Sequence, residues 1–250
     1  MSAAPAVFLA GAAGVIGRRL CPLLLEDGWR VVGTTRSAAK AGAMRALGVE
    51  PVVVDVFEAA ALRTAVAQSG ASAVIHQLTD LPQLRDPASM AAALGRNARL
   101  RELGTRNLVA AAIAAGVKRF VAQSIAFAYA PGPQPYDEDS PLNVAAADAA
   151  AATTARGVAS LERQVLEAPF EGIVLRYGRL YGPGTWYDSA PAGAPLHVDA
   201  AADAARRALR CGEPGIYNIA QSDGTVTSEK AQRILGWNPA FRLAAPQTRT

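Results

Sequence analysis

Lysine is nearly missing from this chain of 250 residues, which holds 3 lysines against 22 arginines. Any one arginine therefore carries little weight by itself. Cysteine is almost as scarce: Cys21 and Cys211 stand far apart with no Cys-x-x-Cys or Cys/His spacing, which excludes a disulfide framework and a zinc site. No run approaches the ~20 apolar residues that a membrane span requires. The opening MSAAPAVFLAGAAG has no basic residue ahead of its apolar run, so no secretory leader is expected. Aromatics make up 6% of the chain, and the net charge of +4 is spread among acidic residues with no basic stripe. Nucleic acid and membrane are therefore not expected partners, and a reduced, cytoplasmic setting fits the composition.

What is present is apolar: 51% of residues are hydrophobic, enough for one sizeable core at this length. Short β-rich runs, VFLA (7–10), RVVGT (30–34), PVVV (51–54), AVIH (73–76), RFVAQ (119–123) and GIVLR (172–176), alternate with alanine-rich segments of helical length. Strands that alternate with helices form parallel neighbours, since a parallel pair needs a crossover. The expected fold is α/β, a doubly wound parallel sheet of the Rossmann type. Four helical segments run into Gly28, Gly48, Gly70 and Gly116, each placed where a left-handed C-terminal cap is wanted. The one long loop rich in turn formers, YAPGPQPYDEDSPLN (129–143), follows the fifth strand and so borders the carboxyl edge where such sheets bind ligands.

Directly behind the first strand, VFLAGAAGVIG (7–17) reads Gly-x-x-Gly-x-x-Gly. Gly11 permits the turn, Gly14 lets backbone approach a pyrophosphate, and Gly17 allows close helix–strand packing, with Ala13, Val15 and Ile16 between them at a positive helix end. Strand, glycine turn and helix in one βαβ unit predict dinucleotide binding. The second strand ends in Thr35 and Arg36, with no acid at its tip. An acid there would bind the ribose 2′-hydroxyl of NAD, whereas arginine accommodates the 2′-phosphate, so NADP is expected rather than NAD.

Further segments carry a family resemblance: GAAGVIG (11–17), VDVFE (54–58), VIHQL (74–78), GTRNLVAAAIAAGVKRFVAQS (104–124), LRYGRLYGPGTWY (175–187), HVDAAADAA (197–205), IYNIA (216–220) and AQRILGWNP (231–239). The chain resembles the extended and atypical short-chain dehydrogenase/reductases, the NAD-dependent epimerase/dehydratase family, over nearly its whole length. The resemblance implies that Asp55 and Val56 flank the adenine. It places Gln77 and Leu78 along the nicotinamide ribose, Gln123 beside them, and Ser124 at the family's active-site serine. It also implies a tyrosine acid/base and, four residues on, a lysine that lowers its pKa and holds the ribose. Here Thr154 and Val158 take those two places, and no tyrosine lies between Tyr136 and Tyr177. Tyr177, where the family motif more usually has proline, is the substitute acid to test with Ser124, since general acid catalysis needs a titratable group within reach. Tyr181 and Tyr187 are weaker candidates. His76 reads as a buried structural histidine, and His197 as a helix starter with Asp199.

Only ten residues separate Trp186 from His197, so the substrate-covering part is short. The expectation is a single compact unit: a dinucleotide-binding core over 1–176 and a reduced C-terminal substrate-binding part over 177–250, interleaved with it. Two functions stay open. One is an NADP(H)-dependent oxidoreductase, or an epimerase- or dehydratase-like enzyme, acting on a small carbonyl or sugar-related substrate. The other is a catalytically inactive dinucleotide-binding regulatory or scaffolding protein. The alanine-rich segment 145–162 would suit close helix packing, in a homodimer or equally within the chain.

Overall fold

An interior strand of the sheet, β1 (Ala6–Ala10), is buried along its whole length because helices cover both of its faces. Its side chains alternate between two cores: Val7 and Leu9 join one apolar cluster, Phe8 and Ala10 the other. The computed structural model describes residues 4–82 and 86–244. The remaining strands are β2 (Arg30–Thr35), β3 (Glu50–Val53), β4 (Ala73–His76), β5 (Arg119–Ile125), β6 (Glu171–Tyr177), β7 (Arg179–Tyr181), β8 (Pro195–His197) and β9 (Gly215–Ile219). Seven of them form one parallel sheet in the order β3-β2-β1-β4-β5-β6-β9, while β7 and β8 pair separately. The six expected strands are all present, and β9 extends the sheet at the far edge. The chain reverses direction across the sheet between β1 and β4, the position where doubly wound folds open a ligand crevice.

Among the described residues the helices are α1 (Gly17–Glu26), α2 (Ala38–Ala46), α3 (Ala59–Ser69), α4 (Pro87–Arg99), α5 (Thr105–Ala114), α6 (Ala149–Leu166), α7 (Val198–Ala208) and, after the last strand, α8 (Glu229–Leu235). Gly28, Gly48, Gly70 and Gly116 all adopt positive φ where the helices were expected to stop. Helices α4 and α8 were not expected. In α4, the Asp86 carboxylate accepts the Ser89 N–H and Pro87 opens the first turn. A π-helical turn, Leu100–Gly104, then joins α4 to α5 as one long rod. His197 caps α7 by accepting the Asp199 N–H on Nδ1, as expected. Residues beyond 177 share the core of the N-terminal strands: Leu196, Ile219 and Trp237 lie in the same cluster as Val7 and Leu9. Among the described residues no helix is long and apolar enough to cross a membrane.

Candidate functional site

The turn after β1 is held by its own backbone and by one side chain of β2. Gly11 has φ +96°, and a Cβ there would stand 2.8 Å from the Gln77 carbonyl oxygen. The Gly14 N–H closes the turn onto the Gly11 carbonyl at 2.9 Å. The Gly11 N–H reaches across to Thr34 Oγ1 at 3.2 Å, which ties the turn to β2. At Gly17 a Cβ would come within 2.3 Å of the Gly11 carbonyl oxygen, so helix and turn approach as closely as glycine permits. The amides of Arg18, Arg19 and Leu20 bond to the Gly14 and Ile16 carbonyls, which sets α1 directly on the turn, and the helix dipole adds positive potential there. That combination suits a pyrophosphate.

Beside this turn, over the carboxyl ends of β1 and β2, lies a cleft of about 330 Å³. It gathers Gly11, Ala13, Gly14, Thr35, Arg36, Asp55, Val56, Gln77 and Leu78, nine of the residues singled out from the sequence. Val15, Ile16, Gly17, Gln123, Ser124 and Tyr177 are not part of its lining. Sequence reasoning missed Lys40 and Asp80, which also line it. The signal for Lys40 was its place just inside a helix that starts at the tip of β2, on the side of Arg36. The Arg36 guanidinium is mostly exposed, with Asp80 at 3.8 Å. Thr35 Oγ1 accepts the Ser37 N–H, which shapes the tip. Asp55 is engaged locally, accepting the Phe57 N–H at 2.9 Å. A larger surface hollow of about 480 Å³, lined by Lys118, Phe170 and Glu171, sits at the opposite, amino-terminal edge of the sheet and holds none of these groups.

At the floor of the cleft Gln77 is buried, its Nε2 donates to Tyr177 Oη at 3.2 Å, and its Oε1 has no partner among the described residues. A buried carbonyl oxygen without a donor is costly. A ligand that brings hydroxyl or amide donors to this point removes the cost, so glycine turn, cleft and Gln77 together fit a dinucleotide.

The sequence profile of the NAD(P)H-binding family matches residues 11–162, more than half of the chain. The chain belongs to that family. It is 40% identical over 266 residues to the 3-diazoavenalumate denitrifying reductase of a Streptomyces species, an alignment that covers 98% of this chain and 83% of that protein. Among solved structures it superposes on UDP-glucose 4-epimerase of Thermotoga maritima with a TM-score of 0.76 at 17% identity, over 95% of this chain and 94% of that one. The WbmH enzyme of Bordetella bronchiseptica, solved with NAD+, gives 0.68 at 23% identity over 91% and 79%. The short-chain dehydrogenase/reductase resemblance carried by the motifs agrees with the profile and with these folds.

In this NAD(P)H-binding protein the expected acid/base positions carry no acid or base. Val158 is fully buried and packs with Ile125, Ala128 and Ala155, and Thr154 is half-buried one turn earlier. Ser124, proposed from the sequence as catalytic, is buried and donates to Glu162 Oε1 at 2.7 Å. Glu162 is gripped in turn by Arg176, with Nε at 2.9 Å and Nη2 at 2.8 Å. Tyr177, the other proposed catalytic group, is buried and donates to the Ala201 carbonyl at 3.0 Å. Burial pushes its hydroxyl well above the usual tyrosine range, although the Gln77 bond pulls the other way. Both hydroxyls are thus committed to the protein's own groups. Tyr181 donates to Gln221 at 2.8 Å.

His76 behaves as the sequence suggested. Its Nδ1 accepts the Leu78 N–H at 3.2 Å, so Nε2 carries the proton that faces Thr105 Oγ1 at 3.1 Å. Burial, helped by the charge of Arg101, lowers its pKa from 6.5 to about 4. The unfolded imidazole takes up a proton below pH 6.5 that the folded one refuses until about pH 4. Stability therefore falls as pH drops through that window, by at most about 3 kcal/mol. Urea unfolding at stepped pH should show this slope, and His76→Asn should flatten it; an unchanged slope in the variant contradicts the assignment.

Proposed function

We propose that the protein is an NADPH-dependent reductase whose substrate carbon accepts hydride without a proton from the protein. One observation carries the reading: beside a dinucleotide cleft, Thr154 and Val158 replace the acid/base pair, and Ser124 and Tyr177 donate to Glu162 and Ala201 instead of to a ligand. Gly11, Ala13, Gly14, Val15, Ile16 and Gly17 would hold the pyrophosphate, Asp55 and Val56 the adenine side, and Gln77, Leu78 and Gln123 the nicotinamide side. Bound NADPH supplies a hydride equivalent, and a carbon bearing a diazonium group takes it with loss of dinitrogen, a balanced exchange that needs no acid. The name of the 40% identical relative, a denitrifying reductase of a diazo compound, supports this class. A non-catalytic binder, which the lost pair alone would also allow, draws no support from that relative. The test is turnover of benzenediazonium with NADPH, corrected for the protein-free rate, against a panel of aldehydes and ketones. Benzene and dinitrogen should form only with the diazonium salt; carbonyl reduction in its place overturns the reading.

Preference for NADPH rests on Thr35, Arg36, Ser37 and Lys40, which surround the tip of β2, a strand that itself ends without an acid. A charge-assisted hydrogen bond contributes about 1.5–3 kcal/mol, so Arg36→Ala should weaken NADPH about 10–100-fold. NADH, which lacks the 2′-phosphate, should change by less than about 3-fold. Fluorescence titration with both cofactors decides, and equal losses remove Arg36 from the 2′-phosphate.

A further inference from the structure

Gln77 and Tyr177 meet across the sheet. Gln77 follows β4 and Tyr177 ends β6, with β5 between the two strands. Tyr177 shares an apolar cluster with Leu9, Ile75 and Ala201 of α7, so the contact forms on the face of the sheet that α7 covers. The Tyr177 hydroxyl has one proton, which goes to the Ala201 carbonyl at 3.0 Å. Toward Gln77, at 3.2 Å, the same oxygen then only accepts, and the amide must turn Nε2 to it. The reverse orientation would face Tyr177 with a carbonyl oxygen, or would take the tyrosine proton away from Ala201; either way a bond is lost. Burial holds Tyr177 well above the usual tyrosine range, so the proton that sets this order stays in place at neutral pH.

With Nε2 committed, Oε1 is left as an acceptor. Gln77 is 6% exposed, and among the described residues no N–H or O–H meets Oε1. The space that Gln77 lines is the cleft, so the missing donor arrives with what the cleft holds. Strand order tells which part of a dinucleotide brings it. The glycine turn after β1 suits the pyrophosphate, and Thr35, Arg36 and Asp55 stand on its β2 and β3 side. Gln77 stands on the other side, after β4. A dinucleotide laid across the crevice with its adenosine over β2 and β3 brings its nicotinamide half to Gln77. That half carries two kinds of neutral donor, the carboxamide N–H and the ribose hydroxyls.

We propose that Gln77 is a fixed acceptor for a neutral N–H or O–H donor of the nicotinamide half, and that Tyr177 is the positioning residue that sets its amide. Tyr177 acts on the cofactor through Gln77 without touching it. The tyrosine that the sequence offered as a substitute acid so finds a use that needs its proton held in place, not transferred. The inference rests on the dinucleotide reading of the cleft and is independent of the reaction that follows.

The test is a double-mutant cycle of wild type, Gln77→Met, Tyr177→Phe and the double variant, each titrated calorimetrically with NADPH and with its acetylpyridine analogue, in which methyl replaces the carboxamide NH2. Methionine keeps the length of glutamine and offers neither a comparable acceptor nor a donor. Gln77→Met should weaken NADPH by about 5-fold or more, the scale of one neutral hydrogen bond. Tyr177→Phe, which keeps the ring but frees the amide to turn, should weaken it by about 3-fold or more. In the Gln77→Met background the same Tyr177→Phe change should alter NADPH by less than about 2-fold, because its effect runs through Gln77 alone. If the analogue binds wild type more weakly than NADPH and the gap closes in Gln77→Met, the donor is the carboxamide. If wild type binds both alike and Gln77→Met weakens both alike, the donor is a ribose hydroxyl. Unchanged NADPH affinity in Gln77→Met overturns the proposal, and so does a Tyr177→Phe loss that is equal in both backgrounds, which makes the tyrosine a packing residue. Should Gln77→Met fail to fold, Tyr177→Phe decides: unchanged NADPH affinity there overturns the proposal. If wild type binds no NADPH, the dinucleotide reading falls and this inference falls with it; if wild type binds and Gln77→Met binds equally well, this inference alone falls.

Discussion

Glu162→Ala is expected to destabilise the fold by about 3–5 kcal/mol while leaving the glycine turn intact. Glu162 and Arg176 are 4% and 3% exposed, and the carboxylate accepts both guanidinium bonds and the Ser124 hydroxyl. Those three residues belong to α6, β6 and β5, so the carboxylate clamps a helix onto two adjacent strands. Arg176 continues the chain of bonds to Tyr129 Oη at 3.1 Å and the Glu138 carbonyl at 3.1 Å, which fastens the loop after β5. Removing the carboxylate alone strands a buried cation, and that uncompensated charge sets most of the loss. Replacing both partners with apolar residues, Glu162→Leu with Arg176→Met, should recover most of it, because no charge is then left unpaired. Urea unfolding at neutral pH measures all three proteins. A loss below about 1 kcal/mol for Glu162→Ala, the range of an exposed pair, would show that the clamp carries no load.

Gly17→Ala should abolish detectable dinucleotide binding, a loss of at least about 100-fold, or some 3 kcal/mol. The added methyl would lie 2.3 Å from the Gly11 carbonyl oxygen and 2.6 Å from that of Ala12. Both obstacles are backbone, so the turn itself must open, and the amides aimed at the phosphates lose their common focus. Gly11→Ala should act as strongly, since it combines φ +96° with a 2.8 Å approach to the Gln77 carbonyl oxygen. Gly14→Ala is the internal comparison: its nearest obstacle is at 3.1 Å, which a shift of a few tenths of an ångström relieves. Titration with NADPH should therefore rank Gly14→Ala well above the other two in residual affinity. Equal affinities across the series would mean that the turn does not contact the cofactor.

Much of the fold was legible from the sequence because its signals are local. A strand buried on both faces reads as an unbroken apolar run, and a left-handed helix stop reads as glycine. The helix α4 escaped although its signal was present: Asp86 and Pro87, followed by Ser89, are an N-cap, a first-turn proline and the capped amide. Alanine-rich sequence hid it, since Ala91–Ala93 carries no apolar stripe strong enough to set a face. Nine residues of the cleft lining were legible for the same local reason. Lys40 was overlooked because its relevance depends on where α2 begins in space.

The sequence by itself determined the order of elements, the glycine turn and the absence of the tyrosine–lysine pair, all properties of residues within a few positions of one another. Only the tertiary structure decided what the remaining polar groups do. Ser124 meets a carboxylate 38 residues away, and Gln77 meets a tyrosine 100 residues away. A hydroxyl or guanidinium looks the same in sequence whether it faces a substrate or a buried partner. Its chemistry is set by distance and desolvation, and those exist only once the helices have packed against the sheet.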